Sequence, residues 1–137
     1  MPNKRDRVIL DTNLWISFLI TKNYSKLDKL LFSGNCLLIF SKELIDEFIS
    51  VANRPKFRKY FSPTDLENII EAIDEYAEFV DVKSATTICR DPKDNFLLSL
   101  SMDGQADYLL TGDNDLLVLK KINKTKIITI AEFFENR

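Results

Sequence analysis

Three carboxylates stand where strands should give way to helices. Asp11 closes the apolar run Arg7-Val8-Ile9-Leu10, Asp94 belongs to the helix start Asp91-Pro92-Lys93-Asp94, and Asp113 follows Tyr108-Leu109-Leu110 after a Thr-Gly turn. A fourth, Glu47, lies in an amphipathic segment, three residues after Leu44 and two before Ile49. Each has an ordinary structural role open to it. Asp11 can close a strand, Asp91 can cap a helix with Asp94 in its first turn, Asp113 or Asp115 can cap a short helix, and Glu47 can be a boundary charge. Gathered on one rim, however, three or four carboxylates cannot all stay ionised without a counter-charge, because like charges raise one another's pKa. A divalent cation resolves the conflict. Oxygen-only sites suit Mg²⁺ or Mn²⁺, and such a cation lowers the pKa of a bound water and clamps phosphate oxygens.

Composition points the same way. The 137 residues contain no histidine, which excludes Ser-His-Asp triads, Cys-His dyads, HExxH zinc sites and any histidine base. Acid–base work must fall to Asp, Glu, Lys, Tyr, Cys or a metal-bound water. Cys36 and Cys89 form no CxxC pair and cannot close a zinc site without histidine. Two reduced cysteines in or near the core are expected. The net charge of 19 − 21 = −2 rules out gripping nucleic acid by bulk charge.

The elements that must position the carboxylates can be read from periodicity. Buried strands are expected at Arg7–Leu10, Cys36–Phe40, Phe79–Val82, Tyr108–Leu110 and Lys126–Ile130. Helices are expected at Asn13–Ile20, Ser25–Phe32, Lys42 to about Asn53 behind the cap Ser41, from Ser62-Pro63-Thr64-Asp65 onward, Asn95–Met102, Asp115–Leu119 and Ala131–Phe134. Strands alternate with helices, and the strands are continuous apolar runs, so both sheet faces are covered. This predicts an α/β sandwich with a mostly parallel sheet of about five strands. Its length suits one domain over residues 1–137. Ligands in such sheets bind outside the carboxyl ends of strands, where Asp11 and Asp113 both fall. No apolar run approaches the ~20 residues of a spanning helix. The start Met-Pro-Asn-Lys-Arg lacks the apolar stretch of a leader, so a cytoplasmic protein without a membrane partner is expected.

Taken in order, Val8-Ile9-Leu10-Asp11-Thr12-Asn13, Glu47 ahead of Arg54-Pro55-Lys56-Phe57, Asp91-Pro92-Lys93-Asp94-Asn95, and Ala106-Asp107-Tyr108-Leu109-Leu110-Thr111-Gly112-Asp113-Asn114-Asp115-Leu116-Leu117 resemble the PIN domain family. The resemblance runs from Val8 to about Phe134 and is nearest to prokaryotic PIN proteins described as toxin components of toxin–antitoxin pairs. It implies a three-layer α/β/α fold and a metal-dependent ribonuclease. By position, Asp11, Asp94 and Asp113 match metal-binding acids, Asp115 an additional one, and Glu47 the helical acid that helps hold metal or water. Asn13 and Thr111 match polar positions that steady the acids. Hydrolysis on Mg²⁺ or Mn²⁺ would leave 5′-phosphate and 3′-hydroxyl ends. An RNA substrate and an antitoxin protein are the partners it implies.

Charge is unevenly spread. Residues 1–60 hold 11 basic and 6 acidic side chains, whereas residues 61–137 hold 8 and 15. Arg54, Lys56, Arg58 and Lys59, interleaved with Phe57, Tyr60 and Phe61, suit tracking phosphates and stacking a base, or simply a solvated turn. Residues 61–81 carry seven acids and no base. That run is expected as a solvated helix face, which a basic partner or a second subunit in a homodimer would offset. Two other functions fit parts of the pattern. One is a catalytically silent module of the same fold that binds RNA or a protein. The other is a haloacid-dehalogenase-type phosphatase, but its first motif wants an aspartate where this chain has Asn13.

Overall fold

The computed structural model describes residues 5–32, 34–85 and 94–135. The chain runs β1 (Asp6–Leu10), α1 (Thr12–Thr21), α2 (Ser25–Phe32), β2 (Cys36–Phe40), α3 (Lys42–Ala52), a 3-10 turn (Pro55–Phe57) and α4 (Pro63–Tyr76). It continues through β3 (Glu78–Phe79), α5 (Asn95–Asp103), β4 (Tyr108–Leu110), α6 (Asn114–Leu117), β5 (Lys121–Ile122), β6 (Thr125–Ile128) and α7 (Ile130–Glu135). The strands form one sheet of six in the order β3-β2-β1-β4-β6-β5. Every pairing is parallel except the β5–β6 hairpin. The expected α/β sandwich is present, with helices packed on a mostly parallel sheet. Among the described residues no helix is long and apolar enough to cross a membrane.

The strand order places the functional edge. From β1 the chain steps outward to β2 and β3, then returns to lay β4 on the other side of β1. The direction of winding therefore reverses between β1 and β4, and the crevice at their carboxyl ends is where ligands enter sheets of this kind. Both strands are short, apolar and buried: Val8, Ile9 and Leu10, and Leu109 and Leu110, are at most 1% exposed. Covered on both faces, they have no room for alternation.

Differences from the sequence expectation cluster at the sheet's margins. The third strand covers Glu78–Phe79 rather than Phe79–Val82. It is an edge strand with Phe79 exposed, and Asp81 stands exposed just beyond it, so apolar burial cannot extend the pairing. The strand β5 was not expected; a turn with Asn123 in the left-handed region (φ 49°) folds Lys121–Ile122 back onto β6. The final strand ends at Ile128 instead of Ile130, which starts α7. The sixth helix begins at Asn114 rather than Asp115 and stops at Leu117. Elsewhere local signals hold. Ser41 accepts from the Leu44 N–H, and Ser62 and Asp65 form a reciprocal capping box at the start of α4. Gly104 closes α5 where an added Cβ would lie 2.8 Å from the Leu100 carbonyl and 3.0 Å from Ile39, so α5 seats tightly on β2.

The core centres on Trp15, fully buried among Phe18, Phe40 and Phe48 at centroid distances of 5.3–6.1 Å. It joins α1 to α3 and β2. Cys36 is buried with a free thiol, as expected, whereas Cys89 and the expected cap Asp91 lie outside the described residues.

Candidate active site

The rim is built outward from Asp11. β1 ends at Leu10, and Asp11 N still bonds to the Leu110 carbonyl at 3.0 Å, so the residue is fixed by the sheet itself. It is also the cap of α1, its Oδ1 accepting from the Asn13 N–H at 3.2 Å. Oδ2 accepts from the Thr111 hydroxyl at 2.6 Å. Asp11 is only 5% exposed. Burial pushes its carboxyl above the ordinary range; the bonds from Thr111 and Asn13 oppose that rise, and the charge on Asp113 adds to it.

Thr111 is the hub. Fully buried after β4, its single oxygen donates to Asp11 and accepts from the Asp113 N–H at 3.0 Å. One hydroxyl thus ties together acids that are 102 residues apart in sequence (113 − 11). Asp113 in turn caps α6, its Oδ1 accepting from the Asp115 N–H at 2.9 Å. Its Oδ2 makes no hydrogen bond among the described residues. The capping role and the site role therefore coexist in Asp11 and Asp113.

Glu47 reaches the same rim from α3. Its Oε2 accepts from the Thr12 hydroxyl at 2.8 Å, which places it beside Asp11 through the neighbouring residue. Glu47 is half-buried and its neighbour Asp46 is exposed, so position 47 is the one that turns inward. Thr12, 4% exposed, was absent from the expected site. A hydroxyl buried in the first turn of an apolar helix must find a partner, and that was its only signal in the sequence. Asn13 contributes its backbone N–H to Asp11, while its side chain is exposed.

The remaining candidates are placed less tightly. Asp94 sits at the cap position of α5 rather than within its first turn, and its side chain makes no capping bond. It is half-buried, with Oδ2 buried. The helix it opens runs back to the start of β4, which puts Asp94 towards the carboxyl ends of the strands. Asp115 is half-buried. In the basic turn, Arg54, Lys56, Arg58 and Lys59 are all exposed. Lys56 and Lys59 lie over the rings of Phe57 and Tyr60 at 5.0 and 5.2 Å. Phe61 is buried in the core and cannot stack a base.

The profile of the PIN domain family matches residues 7–115. The chain belongs to the PIN domain family. A further comparison finds an uncharacterized protein of Methanocaldococcus jannaschii, 29% identical over 146 residues, spanning 98% of this chain and 94% of that protein. Among solved structures, the PIN domain of human SMG5 superposes with a TM-score of 0.53 at 15% identity, covering 95% of this chain and 97% of that one. That likeness speaks to the fold. PIN domains are generally nucleases that use divalent metals, so the chemistry of the rim can be tested against such an ion. The donors are all hard oxygens. Among the described residues no three acidic or sulfur side chains converge as a ready metal cluster. What this PIN domain pre-assembles is the pair Asp11–Asp113, electrostatically coupled and partly desolvated. Neither of them, nor Glu47, forms an ion pair among the described residues. Mg²⁺ is commonly bound by one or two carboxylates plus waters and substrate phosphates, so this pair fits it.

Proposed function

We propose that this PIN domain is a divalent-metal-dependent endoribonuclease that hydrolyses RNA phosphodiester bonds. The observation that carries the reading is the buried Asp11 carboxylate, raised in pKa by burial and by the neighbouring Asp113 charge, at the reversal point of the sheet. Such a site holds negative charge that its surroundings disfavour, and a cation relieves it. Asp11 and Asp113 are the primary holders of Mg²⁺ or Mn²⁺, with Asp94 and Asp115 as further ligands. When bound, the cation polarises the phosphate and neutralises charge developing on its oxygens.

The chain's own groups supply the rest. Thr111 fixes the Asp11 carboxylate and the Asp113 backbone with one hydroxyl. Thr12 holds Glu47 by Oε2, which leaves Oε1 to accept a proton from a water. As that water's oxygen bonds to phosphorus, the bond to the 3′-oxygen opposite breaks, and the leaving oxygen takes a proton from solvent, giving 5′-phosphate and 3′-hydroxyl ends. A 2′,3′-cyclic phosphate would contradict this route, because the ribose hydroxyl would then be the nucleophile. The exposed cations Arg54, Lys56, Arg58 and Lys59 are suited to the RNA backbone, and their loss should flatten the salt dependence of binding. The toxin role and an antitoxin partner rest on the resemblance to prokaryotic PIN toxins and extend this reading.

The test is cleavage of a labelled mixed RNA pool by purified protein with Mn²⁺, Mg²⁺ or EDTA, beside Asp94→Asn. Metal-dependent cutting that is lost in the variant supports the reading. Equal cutting by both preparations marks a contaminant. A protein that binds the pool but never cuts it is the silent module instead.

A further inference from the structure

A hollow of about 230 Å³ opens between α1, the turn that leads from it to α2, and the start of α7. Both of its walls begin at the acid rim. Leu14 lies in the first turn of α1, its N–H bonded to the Asp11 carbonyl at 3.0 Å. Ile130 opens α7 just beyond Ile128, whose carbonyl accepts from the Thr111 N–H at 3.0 Å. One turn of helix, about 5 Å, separates Asp11 from the near edge of the hollow. A nucleotide next to a phosphate held at the rim is within its reach.

The floor is apolar, formed by Leu14, Phe18 and Ile130. The edge is polar, and the hydrogen-bonding capacity left over there is mainly that of donors. The Thr21 hydroxyl donates to the Ser17 carbonyl at 2.9 Å and accepts from the Asn23 N–H at 3.2 Å, so it is spent. Asn23 Oδ1 accepts from the Ser25 N–H at 3.4 Å and from its hydroxyl at 3.0 Å. The Asn23 side-chain amide N–H groups have no partner among the described residues, nor has the Ser17 hydroxyl. The Lys26 ammonium likewise forms no ion pair among them. Ser17, Asn23 and Lys26 are all exposed. The volume falls below the ~300 Å³ at which pockets for drug-sized ligands begin, so the hollow suits one flat ring and not a peptide helix.

We propose that this hollow receives one unstacked RNA base beside the phosphate at the rim, and that it selects uracil or guanine. The proposal deepens the ribonuclease reading and rests on it for the substrate class. The face of the base lies on Leu14, Phe18 and Ile130, its edge meets Asn23 and Ser17, and Lys26 faces its phosphate. Uracil and guanine present a carbonyl oxygen where cytosine and adenine present an amino group. The Asn23 amide finds an acceptor in the first two. In the others donor faces donor, and both stay unpaired. A base held this way has left its stack, so the substrate is a single strand or a loop. Continuity with the rim, the free donors and the unpaired cation select RNA as the occupant.

The experiment follows the backbone amide resonances of the full chain as it is titrated with uridine, guanosine, cytidine or adenosine 5′-monophosphate. EDTA is present throughout, so the readout depends on neither metal nor cutting. The first two nucleotides should shift the amides of Leu14, Ser17, Asn23 and Ile130 and bind at least about fivefold more tightly than the other two. Asn23→Asp keeps the oxygen that accepts from Ser25 and turns the free donor into an acceptor, so it should reverse the preference. Lys26→Gln should weaken all four by a similar factor. Thermal melts confirm folding, and Ser17→Trp, which fills the hollow from an exposed helix position, should abolish the shifts if Asn23→Asp disturbs the turn. Equal affinity for all four nucleotides, shifts that lie elsewhere, or an unchanged preference in a folded Asn23→Asp overturns the proposal. Shifts at these amides with an amphipathic probe peptide but with no nucleotide also overturn it, and assign the hollow to a protein. Selective binding by a chain that never cuts RNA keeps the base site and removes the nuclease. Metal-dependent cutting without selective binding does the reverse.

Discussion

The two ends of the sheet treat charge in opposite ways. At the amino-terminal edge Glu78 and Asp107 are each paired with a cation. The Arg7 guanidinium spans Gly104 O at 2.8 Å and Glu78, whose Oε2 lies 2.5 Å away. Asp107 accepts from the Arg7 backbone N–H at 2.8 Å and pairs with Lys124 at 3.3 Å. At the carboxyl-terminal rim, Asp11, Asp113 and Glu47 meet only hydroxyls and backbone N–H groups among the described residues. The pKa shifts have opposite signs accordingly. Arg7 holds Glu78 below the ordinary range, whereas burial lifts Asp11 above it. One edge is arranged for stability. At the other, Asp11, Asp113 and Glu47 form no ion pair among the described residues, at the point where a ligand would enter.

Removing an acid from the rim should produce the largest effect. Asp11→Asn is expected to lower RNA cleavage more than about 100-fold, since even groups that only steady a metal ligand cost 10- to 100-fold. Retained activity would separate the acid pair from the chemistry. Next comes Thr12→Val, which removes the bond that holds Glu47. A loss of about tenfold in kcat with little change in KM is expected, with Thr12→Ser restoring it. A Thr12→Ser variant as impaired as Thr12→Val would reduce the residue to packing.

At the opposite edge the readout changes from rate to stability. Arg7→Met should cost about 1–2 kcal/mol in urea unfolding, since one buried-side hydrogen bond and one partly exposed ion pair are lost. The activity per folded molecule should not move. The finest contrast is in pH. Asp11 has a raised folded pKa, so its ionisation destabilises the fold as pH rises past the ordinary carboxylate range. Asp11→Asn should therefore melt higher than the parent at neutral pH, with the gap closing in acid. Glu78 has a lowered folded pKa, so its contribution is present at neutral pH and is lost as pH falls through that value. Glu78→Gln should melt lower at neutral pH, again converging in acid. Gaps of the same sign would dissolve the distinction between the two edges.

How much of this the sequence discloses depends on the range of the signal. The capping box of Ser62 and Asp65 and the apolar runs of β1, β2 and β4 are local, and they read correctly. The acids fall at element boundaries for the same reason. The partnership of Thr12 with Glu47 joins positions 35 residues apart, and that of Thr111 with Asp11 joins positions 100 apart. Nothing in periodicity links them; only the strand order brings them together. The β5–β6 hairpin escaped because it is two residues deep and turns on Asn123 without a glycine. Phe61 looked like one of a set of surface aromatics in the basic turn, yet it faces the core.

The central claim is that the rim keeps its charge for a cation. The most direct test is a thermal melt of the parent, Asp11→Asn and Arg7→Met, each titrated with Mg²⁺ or Mn²⁺ and reversed with EDTA. A ligand that binds only the folded state raises the melting temperature by mass action. The parent and Arg7→Met should rise by on the order of 5–10 °C at saturating cation, and Asp11→Asn should hardly respond. An equal rise in all three, or no rise in the parent, would contradict the account.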